Sequence, residues 1–438
     1  MTKLAIVSQP FDDVLPPRQN SIGIWSYEAA RRLAGRCDVT VFVKRTFRAE
    51  HPRTVVDHGA TYRFTRGFPS RVWDLATRLV DRRIRKLQPF YGSRLFHAEY
   101  ALRVALACRR AGYDIIHIHN FTGFVPLFRR LNPKARLVLH MNGEWLSQLD
   151  HDRMDACVAQ VDLVLGSSNH ITNLVRQRFP HHAAKCHTVY NGVDVEAFSP
   201  RYTTADGPAR GADAGTPPRL IFVGRLSPEK GLHDLVDAYA LLRPRHPALE
   251  LQLVGPPGVI PLEYIVGVSD DELVRGLARF YDGDYLEGLR ARVPSEHVDG
   301  IEFTGARPHD EVVSRVAAAD VLVNPSYSES FGMALVEAMA SEVPVVATIA
   351  GGMPEIVEDG VSGRLVDRGD VPALADAIGE ILADRDRAEA MGRAGRRRVV
   401  DRFSWEAVVE TLWPHYQSLL AAGVRNESAP VPVPRSGG

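Results

Sequence analysis

Cysteine is scarce in this chain. Its 438 residues hold four, Cys37, Cys108, Cys157 and Cys186, with no C-x-x-C pair among them. That scarcity argues against a zinc site or a disulfide framework and fits a reducing compartment. An excess of either charge is also missing. Lys+Arg and Asp+Glu are equal at 53 each, so no global field draws the protein towards nucleic acid. No apolar run approaches the roughly 18–20 residues that a membrane-spanning helix needs. The opening "MTKLAIVSQP" holds only "LAIV", shorter than a secretory core and readable as a first strand. The expectation is a cytoplasmic protein with no nucleic-acid partner.

What is present is an α/β pattern. Hydrophobic content of 45% and charged content of 24% are those of a globular protein, and the length asks for two domains. Short β-branched runs alternate with helical patterns: "KLAIVS" (3–8), "DVTVFV" (38–43), "DIIHIH" (114–119), "RLVLHM" (136–141) and "DLVLGSS" (162–168). They read as buried parallel strands of a doubly wound sheet. "IWSYEAARRLAG" reads as a helix with Gly35 as its C-cap. Residues 201–218 lack large aliphatic side chains and are rich in Gly, Pro, Ala, Asp and Thr, as a linker is. A second series follows: "RLIFVGR" (219–225), "LELQLVG" (249–255), "GIEFTG" (300–305), "VLVNP" (321–325) and "VPVVAT" (343–348). The reading is two tandem Rossmann-like domains, 1–200 and 219–404, facing across a cleft, with a polar, Pro-rich tail from 422 to 438 expected to be disordered.

Ligands of such sheets bind beyond the carboxyl ends of the strands, and charged motifs sit there in the second series. In "VGRLSPEKG" (223–231), Arg225 and Lys230 lie at a strand exit and near a helix start. A guanidinium fork, an ammonium and free N–H groups together suit a pyrophosphate, although ordinary loop charges look the same in isolation. In "SESFGMALVEAMA" (328–340) a helix is expected to open at Phe331, Gly332 and Met333, leaving N–H groups without intrahelical partners. Glu329 precedes it, and Glu337 sits inside an otherwise apolar helix, where a charge is costly unless it meets a partner. Carboxylates accept hydroxyl hydrogen bonds, so a sugar ring and a ribose diol are natural partners. A helix-dipole charge at Glu329 and a surface-facing Glu337 are the plainer alternatives.

"SESFGMALVEAMA" resembles the E-x7-E motif of the retaining glycosyltransferases of family 4, which have the GT-B fold. "VGRLSPEKG", "YNGVDVEAF", "VPVVATIAGGMPEIVEDGVSGRLV" and "FSWEAVVETLWPHY" are similar to family segments in the same order. The resemblance implies that Glu329 binds donor-sugar hydroxyls and Glu337 the ribose diol. It implies that Arg225 and Lys230 hold the diphosphate with the backbone of Phe331, Gly332 and Met333, and that Arg307 lies near the nucleobase. The donor would be a UDP- or GDP-sugar, with retention at the anomeric carbon and no metal or added cofactor; no D-x-D motif stands near a strand end of the second series. Residues 405–421 would form a helix returning to the first domain.

The first domain departs from that pattern. "RQNSIGIW" keeps only Gly23 of the family's glycine loop, with Asn20 and Ser21 in place of earlier glycines. His119, which shares a strand face with His117, either lines the acceptor side or packs between sheet and helix. Asn142 stands where the family usually has His. Residues 63–94 carry nine Arg/Lys against two Asp, with Trp73, Leu79, Ile84 and Leu87 interleaved. That suits a peripheral membrane or charged-acceptor contact, or a solvated helix with an apolar stripe. Residues 256–298 exceed an ordinary connection, so they cover the cleft or meet a partner. The acceptor, whether glycan, lipid or small molecule, is not specified. An isomerase, a phosphorylase and a non-catalytic sugar-nucleotide sensor remain as rival readings.

Overall fold

The computed structural model describes residues 1–17, 19–45, 52–66, 96–200 and 217–422. The 201–218 linker (but for its last two residues), nearly all of the basic 63–94 stretch and the terminal tail lie outside the described residues.

Two sheets organise the chain. The first contains β1 (Lys3–Val7), β2 (Asp38–Arg45), β3 (Thr54–Asp57), β4 (Ala60–Arg66), β5 (Ile115–His119), β6 (Arg136–Met141), β7 (Leu163–Gly166) and β8 (Cys186–Thr188), in the order β3-β4-β2-β1-β5-β6-β7-β8. The second contains β9 (Arg219–Val223), β10 (Glu250–Val254), β11 (Ile301–Gly305), β12 (Val321–Asn324), β13 (Val345–Thr348) and β14 (Arg364–Val366), in the order β11-β10-β9-β12-β13-β14. Every described pairing is parallel except the β3–β4 hairpin, which turns at His58-Gly59. Helices cover both faces of each sheet. The central strands are therefore buried on both sides and mostly apolar, as "LVL" in β7 and "VVA" in β13 show. These are two Rossmann-like domains of the GT-B architecture.

Strand order reverses between β1 and β5 in the first sheet and between β9 and β12 in the second. The loops leaving those strands diverge and open a crevice. The last helix, Trp405–Ala421, does not stay with the second sheet. Trp405, Val408, Val409, Leu412 and Tyr416 join the core formed by Leu4, Trp25 and Val41 of the first domain.

Two local expectations need correction. The helix Ser21–Leu33 ends on Ala34, in the right-handed region, with Gly35 one residue beyond and not left-handed, so Gly35 is not its cap. The helix around Glu337 starts at Met333, with Gly332 as its N-cap and Phe331 outside it. The long 256–298 connection carries its own structure, including helices Glu272–Gly276 and Tyr285–Arg292.

Candidate active site

The reversal point of the second sheet gathers the charged motifs. Arg225 leaves β9 and is held by Ser227 Oγ (3.3 Å from Nε) and by Glu229 Oε1 (3.2 Å from Nη2). Glu229, fully buried, also accepts from the Ser227 hydroxyl at 2.6 Å. Its carbonyl takes the Tyr327 amide from the β12 exit at 2.8 Å. Glu229 thus orients the guanidinium through its buried carboxylate and joins the two loops through its backbone carbonyl. Across that seam, Lys230 Nζ donates to Glu329 Oε2 at 2.6 Å. The two residues are 99 positions apart, and each side chain is mostly shielded from water.

Behind Glu329, Gly351 has φ +54°, and a Cβ there would stand 1.7 Å from the Glu329 carbonyl oxygen. Only glycine lets the β13 exit back the Glu329 loop this closely. Gly332 has φ +118° and turns the chain into the helix Met333–Ala340. The N–H groups of Phe331, Gly332 and Met333 find no acceptor among the described residues, and they concentrate the positive end of that helix. The Phe331 side chain is buried against Tyr190 and Phe403, so it is the backbone of Phe331 that faces the site. Glu337 lies one turn further on. The residue is partly exposed, and desolvation around its carboxyl raises its pKa to about 8. That carboxyl has no hydrogen bond or ion pair among the described residues. Arg307 stands apart, exposed at the exit of edge strand β11 and 3.7 Å from Glu311.

The reversal point of the first sheet is more closed. Asn20 caps the helix Ser21–Leu33 by accepting from the Gly23 amide at 2.8 Å. A Cβ on Gly23 would meet the Asp13 carbonyl at 1.9 Å. The Gly23 N–H is therefore already engaged, and the residue serves the turn that starts the helix. Asp12, which sequence reasoning passed over, fastens this loop by accepting from Ser8 Oγ, the Gln9 amide and Asn20 Nδ2 at 2.7–2.9 Å. Burial pushes its pKa up to about 6.

His119 is 1% exposed and packs beside Trp25, His117 and His140. Of its two readings, the packed one describes this conformation. Asn142 Nδ2 lies 3.3 Å from His119 Nδ1, an arrangement in which Nδ1 accepts and Nε2 carries the proton. His117 bridges Tyr416 Oη (2.7 Å) and His140 Nδ1 (3.2 Å). Burial, with the neighbouring imidazoles for His117 and His119, holds all three rings neutral, and His140 is lowered to about 3. Ring nitrogens of the trio lie within 4.8 Å of one another, but those of His117 are already engaged. Asp155, His181 and His182 form a second such group, outside the cleft.

Contacts between the domains were invisible to sequence reasoning. Glu355 accepts from the amides of Asn169 and His170, both at 2.7 Å, at the start of the helix Asn169–Arg178. Ser168 Oγ donates to the Ser330 carbonyl at 2.6 Å, beside Glu329. Tyr264 of the 256–298 segment meets Trp145, whose Nε1 donates to the Tyr264 carbonyl at 3.2 Å. That segment spans from one domain to the other. The signal that could have marked Glu355 was its place in "GGMPEIVEDG", a carboxylate just after a strand exit.

Two facing Rossmann-like domains, with cations, carboxylates and an open helix N-terminus at a strand-order reversal, make the arrangement of GT-B folds. Residues 22–197 match the model described as Glycosyltransferase Family 4, and residues 208–398 match Glycosyl transferases group 1. A D-inositol 3-phosphate glycosyltransferase of Corynebacterium urealyticum (strain ATCC 43042 / DSM 7109) is 33% identical over 327 residues, 70% of this chain and 72% of that relative. A GDP-mannose-dependent alpha-(1-6)-phosphatidylinositol monomannoside mannosyltransferase of Mycobacterium tuberculosis (strain CDC 1551 / Oshkosh) is 32% identical over 253 residues, 55% of this chain and 59% of that relative. Among solved structures, a sucrose-phosphate synthase from Thermosynechococcus elongatus superposes with a TM-score of 0.71 at 23% identity, covering 97% of this chain and 100% of that one. The chain belongs to the family 4, group 1 glycosyltransferases. It is a glycosyltransferase, which sets the isomerase, phosphorylase and sensor readings aside.

Proposed function

We propose that the chain transfers a sugar from a nucleotide-diphosphate donor to a hydroxyl of its acceptor, with retention at the anomeric carbon and without a metal ion. The carrying observation is the Lys230–Glu329 ion pair at the foot of a helix whose first N–H groups are unpaired. In this reading the donor diphosphate takes Lys230, Arg225 and the N–H groups of Phe331, Gly332 and Met333. Lys230 exchanges one oxyanion for another. Glu329, released from the ammonium, turns to the hydroxyls of the donor sugar. Glu337 accepts from the ribose diol, and Arg307 flanks the base.

As the glycosidic bond to the diphosphate breaks, negative charge grows on the leaving oxygen. Two fixed cations and a helix N-terminus are oriented there beforehand, which is electrostatic stabilisation of the transition state. The same cations neutralise the charge that a divalent ion would otherwise balance. No side chain of the site is placed as a nucleophile in this reading. The leaving phosphate takes the acceptor's proton on the face that it vacates, so configuration is kept. His119 and Asn142 stand on the acceptor side, and Gly23 sets the first-domain turn that faces the donor. The name of the Mycobacterium tuberculosis relative supports a nucleotide-sugar donor.

The test is a thermal-shift panel of UDP-, GDP-, ADP- and dTDP-sugars on the wild type, Glu337→Ala and Lys230→Ala. A ligand at about 100 times its Kd adds about 2.7 kcal/mol to stability. One nucleotide is expected to raise the wild-type Tm, with the shift lost in both variants. A shift that survives both substitutions would remove these residues from the donor site.

A further inference from the structure

Between the domains lies a cavity of about 480 Å³, separate from the Arg225–Lys230 side of the site. That volume falls in the range of small-molecule sites. One wall belongs to the first domain: the short helix Trp145–Gln148, preceded by Glu144, and one face of the helix Asn169–Arg178, where His170, Leu174 and Gln177 recur at helical spacing. The opposite wall combines Ser269–Val274 of the 256–298 segment with the strand exits at Ser328, Gly351 and Arg368. Ser328 precedes Glu329 in the chain, and Gly351 rests on the Glu329 carbonyl. A molecule in this cavity is therefore one backbone layer from the proposed donor-sugar carboxylate.

The lining carries three carboxylates, Glu144, Asp270 and Asp271, against two guanidinium groups, Arg178 and Arg368. Glu144 accepts from Gln148 Nε2 at 2.7 Å and meets His170 Nε2 at 3.0 Å. Arg368 donates to Asp271 at 2.7 Å and to the Tyr327 carbonyl at 3.1 Å. Two further charges, Asp270 and Arg178, are exposed and opposite in sign. No surplus of cations awaits a phosphate. What the walls offer is amide, carboxylate and hydroxyl groups already held in place, with Leu174 and Val274 as small apolar panels. Such a mixture suits a ring that carries many hydroxyls on an apolar frame.

We infer that this cavity is the acceptor subsite, that it takes an uncharged polyhydroxylated acceptor, a carbohydrate, and that the 256–298 segment forms its specificity wall. The inference rests on the donor site proposed above. It separates this chain from the relative named for inositol 3-phosphate.

The experiment measures nucleoside diphosphate release from the donor found in the thermal-shift panel, using the full chain. Its arms are neutral mono- and disaccharides, D-inositol 3-phosphate, and phosphatidylinositol vesicles. Gln148→Leu removes one polar group of the wall, and Leu174→Trp fills the cavity. Neutral saccharides are expected to stimulate release. In each variant the acceptor KM should rise by about tenfold, the scale of one or two hydrogen bonds, while the donor KM and the donor-induced Tm shift are retained. Stimulation by the phosphorylated arms instead of the neutral ones would overturn the inference, as would no stimulation by any neutral saccharide. An unchanged acceptor KM in both variants would place the acceptor elsewhere. A wild type that neither binds nor turns over any nucleotide sugar would overturn the donor site itself, and this inference with it.

Discussion

Glu337 is where a single residue decides most. Its carboxyl has no partner among the described residues, and desolvation raises its pKa to about 8, against an ordinary 4.5. Between those values the folded chain keeps a proton that the unfolded chain releases. This group's contribution to stability therefore falls as pH rises from about 4.5 through about 8. A ribose diol donates hydrogen bonds to a carboxylate, so donor binding should draw Glu337 to its ionised form and expel a proton at neutral pH. The affinity for an intact nucleotide sugar is expected to increase from pH 6 to 8 and level off above, with a slope of at most about tenfold per unit. Calorimetry at pH 7 in two buffers of different ionisation enthalpy should show proton release, abolished in Glu337→Gln. A flat affinity profile with no proton exchange would detach Glu337 from the donor. The residue itself was legible in the sequence because a charge interrupted an apolar run. Glu229 was not, since a Glu between Pro228 and Lys230 looks like a loop charge, and only the fold shows it at 0% exposure beneath Arg225.

Among elements, the helix Asn169–Arg178 joins the two domains through its first turn. Ser168 caps it from its own chain, accepting from the Ile171 amide at 3.2 Å, and Glu355 of the other domain takes the amides of Asn169 and His170. Each charge-assisted bond is worth about 1.5–3 kcal/mol when shielded; solvent around Asn169 moves this pair towards the lower figure. Glu355→Ala should let the domains part more readily. We expect a larger radius of gyration in solution scattering of the ligand-free protein and a donor Kd several-fold weaker, with Glu355→Gln between the two. Unchanged scattering and affinity would make the contact incidental. Nothing in the local sequence could reveal it, because the partners are 185 and 186 residues apart and meet only when two domains are docked. The strands were legible for the opposite reason. Burial on both faces makes β1, β9, β12 and β13 near-continuous apolar runs, and β5, β6 and β10 apolar runs broken by His117, His119, His140 and Gln252, so they need no partner to be recognised. Edge strands β8 and β14, at three residues each, and the half-exposed hairpin β3–β4 carry no such signal.

For the whole molecule, the chain passes between domains twice, and the two passages run side by side. The Val193 amide donates to the Phe403 carbonyl at 2.8 Å, Val193 bridges Ser404, and Trp405 presses on Gly192. A closing motion would turn about these two adjoining passages. Beyond it, the helix Trp405–Ala421 is part of the first domain's interior: Trp405, Leu412 and Tyr416 are 0–1% exposed, and Arg32 Nε holds Glu406 at 2.8 Å. The resemblance to a family anticipated the return of this helix. It did not anticipate that Tyr416 meets His117, 299 residues earlier, in the cluster with His119 and His140. Loss of one large buried aromatic costs about 3–5 kcal/mol, a large share of the roughly 5–15 kcal/mol that holds an ordinary domain folded. Truncation after Phe403 should therefore unfold the first domain or lower its Tm far more than that of the second. Calorimetry of the full chain and the truncated chain would separate the two transitions. Trp405→Ala should produce a milder form of the same loss, and Tyr416→Phe, which keeps the packing and removes only the hydroxyl from His117, the mildest. If the truncated chain melted in both domains as the full chain does, the helix would be an appendage, and the first domain's core would have to be complete without it.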